Sequence, residues 1–187
     1  MVELEHRQSE PEELRTYRRK HPGSGWDDPA FASVRPLVRQ QLHREQEGLC
    51  VYCEGYLDEQ DGHIEHIKTR SAHPRLMFVY DNLAHSCNDP NHCGHHRKSQ
   101  ALPIEPRLGC NRFFVLMALD GKLIPALGLT EEEQQQASAT LTILGLNTPA
   151  LARQRKNYTD IICALADTAD IAEFVASAPF RWSLQGF

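Results

Sequence analysis

The chain has 187 residues, 41% of them apolar and 24% charged, a balance that suits one ordinary domain, or a small core with helical additions, and excludes a wholly disordered chain. The opening MVELEHRQSEPEEL lacks the apolar centre of a secretory signal, and no apolar run reaches the roughly 18 residues of a membrane span, so a cytoplasmic protein without membrane contact is expected. The net charge of −5 argues against bulk electrostatic binding of nucleic acid, because phosphate contacts need Lys and Arg.

In chain order, residues 1–25 are polar and charged, with a short helix expected around Pro11–Lys20. Asp28-Pro29 starts a better one, since Asp is a good N-cap and Pro suits the first helical position. Phe31, Val34, Val38 and Leu42 follow at helical spacing. Pro36 should kink or shorten this helix, and Gly48 should end it. Residues 50–100 are crowded with Cys, His, Gly, Asn and Pro. Within them HIEHI at 63–67 reads as a strand, and Tyr80–Cys87 and His95–Gln100 as helical turns. Phe113–Leu119 is an apolar strand, Asp120-Gly121 a tight-turn signal and Lys122–Leu127 the returning strand. Thr130 with Glu133 forms a capping-box pattern for a helix to about Leu144, stopped by Gly145. Thr148-Pro149 opens another, to about Ala166, and Asp170 is placed to cap a last short one. The elements divide the chain into an N-terminal helical segment (1–48), a central core (49–104) and a hairpin with C-terminal helices (105–187). Together they make one compact unit of the α+β class.

The cysteines are Cys50, Cys53, Cys87, Cys93, Cys110 and Cys163. In a cytoplasmic protein, metal binding or reduced thiols are commoner uses than disulfides. Cys50-x2-Cys53 and Cys87-x5-Cys93 supply four thiolates. Tetrahedral zinc takes four N or S ligands, and a CxxC turn presents two at the right bite. A redox CxxC would belong in a βαβ pattern, which is absent. The x5 gap is wide, which leaves His92 or His95 as a substitute for one cysteine. Cys163, in apolar IICALA, and Cys110 read as core.

The second group is His63-Ile64-Glu65-His66. Alternate residues of a strand share a face, so Glu65 and His66 point apart unless a strand end or bulge brings both to one site. His63 and His92 read as supporting or surface residues, and His21, His43 and His73 as surface. The third group is Asn82-Leu83, Cys87 and Cys93-Gly94-His95-His96-Arg97-Lys98. From His63 to Arg112 seven basic residues stand against four acidic ones, a local +3. That is weak for holding nucleic acid unaided and points to a partner that supplies part of the grip.

Taken together, CxxC, acid-His on a strand, Asn-Leu, Cys…Cys and His-x-x-Lys within 49 residues resemble the HNH endonucleases, whose core is a ββα unit around one divalent metal. The segments ELRTYRRKHP, WDDPAFASVR, EQEGLCVYCEG, GHIEHIKTR, YDNLAHSCNDPNHCGHHRKS, DGKLIPA and ATLTILGLNTPAL extend the similarity over almost the whole chain. They resemble the HNH component of Septu-type anti-phage systems, also found beside some retrons.

The resemblance implies a ββα-metal core with a zinc knuckle over 49–104. Cys50, Cys53, Cys87 and Cys93 would bind a structural Zn²⁺, and Glu65 and His95 a catalytic Mg²⁺ or Mn²⁺. His66 matches the general base; an ordinary histidine pKa of about 6.5 suits that task. Asn82 matches the residue that holds the metal loop and orients the base. Arg97 or Lys98 would meet the substrate phosphate. Gly94 departs from the pattern, which usually places the last histidine directly after the cysteine, so His96 is a rival to His95. The implied function is cleavage of nucleic acid, DNA before RNA or tRNA, in anti-phage defence with an ABC/SMC-like ATPase as partner. The alternative is a catalytically inert, zinc-stabilised module that binds nucleic acid or protein. It would take up zinc and ignore Mg²⁺ and Mn²⁺.

Overall fold

A computed structural model describes residues 1–6, 8–165 and 168–185. The N-terminal part forms α1 (Glu12–Lys20) and α2 (Arg35–Glu45). Between them Asp28 caps a single 3-10 turn at Pro29–Phe31 by accepting from the Ala30 amide. The helix expected from Asp28 is thus broken in two. Pro36 gives the reason: it has no N–H, and it sits in the first turn of α2, where none is needed. The four apolar positions are all buried. With Leu14 and Tyr17 they cover Ile64, Tyr80 and Leu83 of the central part.

The central part holds β1 (His63–His66) and β2 (Leu83–Ser86), antiparallel, with His63 opposite Ser86 and His66 opposite Leu83. Helix α3 (Cys93–Arg97) follows, giving the order strand, strand, helix. The helical turns expected over Tyr80–Cys87 are corrected here. Only Tyr80–Asn82 coils, as one 3-10 turn, and the next four residues are a strand. All four are buried, because Leu83 joins the core under α1 and α2 while Ala84 joins the other core. A strand covered on both faces shows no polar alternation to read. Helix α3 begins two residues earlier than expected, at Cys93, and stops at Arg97.

In the C-terminal part, β3 (Phe114–Leu116) and β4 (Leu123–Pro125) pair antiparallel, shorter than the apolar runs suggested. Gly121 turns the chain with φ +70°, and an added Cβ would stand 1.9 Å from the Ala152 carbonyl oxygen. Only glycine fits so close an approach. Helix α4 (Glu131–Ile143) carries the complete capping box of Thr130 and Glu133. Helix α5 (Pro149–Ala164) is capped by Thr148; Ala166, where it was expected to end, lies outside the described residues. Helix α6 (Thr168–Ser177) starts before Asp170, which sits in its first turn instead of capping it. A short α7 (Arg181–Leu184) follows.

Cys110 is buried as expected, but Cys163 is exposed. The buried stripe of α5 is Leu151, Ala152, Arg155, Thr159 and Ile162, and Cys163 falls beside it. The second core gathers Leu49–Cys53, Leu116 and Leu123 of the hairpin, Leu141 of α4, Leu151 of α5 and Phe180. Helices with two separate two-stranded sheets make the described residues an α+β architecture. No helix among them is long and apolar enough to cross a membrane.

Candidate active site and four-cysteine cluster

The CxxC segment is a tight knuckle closed by backbone bonds from Leu57 N to Gly48 O and from Cys50 N to Gly55 O. Val51 N bonds to the His85 carbonyl, and the fully buried Gln46 amide both donates to that carbonyl and accepts from the His85 amide. These bonds lock the knuckle against β2. The Sγ atoms of Cys50, Cys53, Cys87 and Cys93 lie within 4.8 Å of one another, and those of Cys50 and Cys93 are 3.7 Å apart. Zn–S bonds of about 2.3 Å in a tetrahedron put the sulfurs about 3.8 Å apart. The cluster could therefore hold a metal such as zinc. Hydrogen bonds from Cys50, Cys53 and Cys93 hold the Cys87 thiol below its ordinary pKa, while the same contacts and burial raise Cys53 and Cys93. His92 flanks the sulfurs, its Nδ1 3.1 Å from Cys93 Sγ and its Nε2 3.4 Å from an Asp89 oxygen.

The end of β1 and the start of α3 wall an open cleft of about 550 Å³, lined by His63, Glu65, His66, Gly94, His95 and Lys98 together with Arg70. Glu65 and His66 reach the same cleft because His66 is the last residue of β1, where alternation no longer separates neighbours. Glu65 Oε1 accepts from Arg97 Nη1 at 2.9 Å and from the Tyr52 hydroxyl at 3.3 Å. Its Oε2 lies 3.1 Å from His63 Nε2. Burial alone would lower the His63 pKa, but the hydrogen bond and charge of Glu65 outweigh it and raise it.

His66 Nε2 stands 2.9 Å from the Met77 carbonyl oxygen. A carbonyl only accepts, so Nε2 carries the proton and Nδ1 the lone pair. Burial, reinforced by the Arg70 charge, pushes the His66 pKa down to about 4, which keeps the ring neutral at pH 7. The edge of Trp26 packs on that ring, with centroids 4.3 Å apart. Asn82 Oδ1 accepts from Lys68 N at 2.8 Å, and its Nδ2 donates to the carbonyls of Lys68 and Leu76 at 3.0 and 3.3 Å. One amide thus ties both ends of the loop that follows β1.

His95 lines the cleft with its ring 4.4 Å from that of His63. His96 does not line it, and its ring lies 3.0 Å from where a Cβ on Gly145 would be. Arg97 is turned inward. It is fully buried and donates to Glu65, Tyr52, Ile67 O and Gln100 O. That geometry corrects the expectation of a phosphate contact at Arg97, because a fully buried guanidinium with four of its five N–H groups donating inside the protein does not reach substrate. Lys98 remains exposed on the cleft. Gly94 explains the departure from the expected spacing. An added Cβ there would stand 2.6 Å from Glu65 Oε2 and 2.7 Å from His63 Nε2, in the space these donors face.

Sequence reasoning missed Tyr52, Trp26 and Asn88, and it set His63 aside. The His63 signal was available, since residues 63 and 65 of a strand share a face. Tyr52 and Trp26 looked like ordinary core aromatics, and their contacts span 13 and 40 residues of chain.

No family model matches the chain. A relative named "Retron Vc95 putative HNH endonuclease", from Vibrio cholerae serotype O1 biovar El Tor, is 36% identical over 169 residues, covering 83% of this chain and 82% of the relative. The chain belongs to the HNH endonuclease family. Within that family it stands with the retron-associated members.

Proposed function

We propose that the chain is a metal-dependent endonuclease that hydrolyses phosphodiester bonds of nucleic acid in the cleft between β1 and α3. The observation that carries this reading is the convergence of Glu65, His66 and His95 on one cleft, with the loop behind them tied by Asn82. The donor set suits a divalent cation: a carboxylate oxygen and an imidazole nitrogen, Glu65 Oε2 and His63 Nε2, face a space kept clear by Gly94, and His95 lines the same cleft. A Mg²⁺ or Mn²⁺ ion held there would supply Lewis-acid stabilisation of the non-bridging and leaving oxygens.

In this reading Glu65, through Oε2, and His95 hold the ion. His66 takes a proton from the attacking water at Nδ1, the nitrogen left free by its bond to Met77. Asn82 keeps that ring in place by fixing the loop that carries the Met77 carbonyl. Lys98 offers its ammonium to the substrate phosphate. The four cysteines bind a structural Zn²⁺ that anchors the start of α3. The relative's name ties it to a retron. We extend that to a cytoplasmic anti-phage effector working with an ABC/SMC-like ATPase, supported by the modest local charge, which leaves part of the nucleic-acid grip to a partner.

The test is cleavage of plasmid DNA and of total RNA, including tRNA, in Mg²⁺ or Mn²⁺, with and without the proposed ATPase partner. His66→Ala should lower the rate about 10²–10⁴-fold and leave the melting temperature and zinc content unchanged. No cutting of either substrate by zinc-loaded protein, alone or with its partner, would refute the nuclease reading and favour the inert binding module.

A further inference from the structure

Resting on the reading of the cleft as a cation site, we propose that His63 is a ligand of the same cation as Glu65 and His95, through Nε2. We also infer that Asn88 fixes the ring for that task. His63 and Glu65 lie two apart on β1, so both side chains leave the same face. Their facing atoms, His63 Nε2 and Glu65 Oε2, are 3.1 Å apart. Two adjacent ligands of an octahedral ion with bonds of about 2.1 Å stand about 3.0 Å apart. The spacing is thus that of two ligands on one ion. The third wall is Gly94, where a Cβ would come within 2.6 and 2.7 Å of these two atoms.

The hydrogen-bond directions point the same way. Asn88 Nδ2 donates to Asp61 Oδ1 at 2.9 Å, and that oxygen also accepts from the Gly62 amide. A carboxylate cannot donate, so the Asn88 amide is oriented with its carbonyl oxygen toward the histidines. That oxygen lies 3.2 Å from His63 Nδ1 and 3.2 Å from His95 Nε2. It can only accept, so His63 Nδ1 carries a proton, and Nε2 is the nitrogen turned to Glu65 Oε2 and left to exchange its own proton for a cation. The 3.1 Å gap between them holds one positive charge, which is the second proton of the imidazolium in the metal-free protein and the cation that displaces that proton when metal binds. Ligating histidines characteristically donate their other N–H to an oxygen in this way. The same bond to Asn88 leaves His95 its Nδ1 lone pair.

The experiment uses zinc-loaded, full-length protein and Mn²⁺ alone as the probe. Calorimetric titration should show Mn²⁺ affinity falling at least about tenfold in His63→Ala, with zinc content and melting temperature unchanged. His63→Gln serves as the second variant should the alanine fold poorly, and the same loss is expected of it. Pulsed EPR of bound Mn²⁺ should show nitrogen couplings from two imidazoles in the wild type and from one in the His63 variants. Asn88→Ala should weaken binding less than loss of His63 itself. Unchanged affinity together with two persisting couplings in the His63 variants overturns the assignment of His63. Glu65→Gln and His95→Ala separate the two failures. Loss of Mn²⁺ in those variants alone leaves the cleft reading standing without His63, whereas wild-type affinity in all of them removes both.

Discussion

Gly94→Ala tests the cleft with a single methyl group. Gly94 is an α3 residue without a positive φ, so its backbone tolerates alanine, which helices favour over glycine by about 1 kcal/mol. The difficulty lies in front of it. Ordinary contact begins at 3.4 Å, and the new Cβ would be 2.6 Å from Glu65 Oε2 and 2.7 Å from His63 Nε2. The two donors must therefore retreat by 0.8 Å (3.4 − 2.6) and 0.7 Å (3.4 − 2.7). Both are side-chain ends, so the fold can give way cheaply. A metal site cannot, because ligand distances tolerate only about 0.2 Å. Glu65 has little room to compensate, since its other oxygen is held by buried Arg97. The expected variant melts within about 1 kcal/mol of wild type, keeps its zinc, binds Mn²⁺ at least about tenfold more weakly and loses cleavage. Thermal melts, zinc analysis, Mn²⁺ titration and a nuclease assay on one preparation read all four. Wild-type Mn²⁺ affinity and cutting in Gly94→Ala would refute the argument that these two atoms face the cation.

The remaining predictions concern charge and pH. Arg97→Ala should cost about 3–5 kcal/mol, because it strands a buried carboxylate, whereas Lys98→Ala should stay within about 0.5 kcal/mol and raise KM for nucleic acid. Urea midpoints and kinetics on both variants check this, and a harmless Arg97→Ala would undo the structural role given to that guanidinium. His66 should titrate near pH 4 by imidazole NMR of the zinc-loaded protein. Its folded pKa lies below the unfolded value of about 6.5, so the unfolded chain binds more protons between those values, and stability is lost as pH falls through that window, roughly 2 kcal/mol of it by pH 5. A midpoint near 6.5 would reject the buried, neutral ring.

Much of the site was legible because its chemistry is local in sequence. The cysteine pairs and the acid-His step declared themselves through residue type and spacing. The α2 stripe and the Thr130–Glu133 box were legible for the same reason, as each is settled within one or two turns of helix. What could not be read depended on long-range placement. Leu83 joins the core formed with α1 and α2, and Ala84 joins the core that includes the CxxC segment, both distant in the chain, so Leu83–Ser86 carried no strand pattern. Arg97 stands beside Lys98 in the chain, and the two look interchangeable as phosphate contacts. Only the fold turns one guanidinium under Glu65 and leaves the neighbouring ammonium in solvent. His95 and His96 are likewise separated by the helical rotation of α3, about 100° per residue, and not by anything in their types.

That short helix also explains why the two proposed metal sites stand side by side. Within five residues α3 presents Cys93 to the sulfur cluster, Gly94 to the Glu65–His63 pair, His95 to the cleft and Arg97 to Glu65 Oε1. The opposite grip on that oxygen comes from Tyr52, inside the CxxC knuckle, so both hands holding the carboxylate belong to segments that carry cluster cysteines. A helix of five residues is far too short to be stable alone, and its position must be fixed from outside. On the proposed reading zinc supplies that fixing. It holds Cys93 against Cys50 and Cys53, and with them the Arg97 and Tyr52 donors that leave Glu65 only one oxygen free to bind the cation.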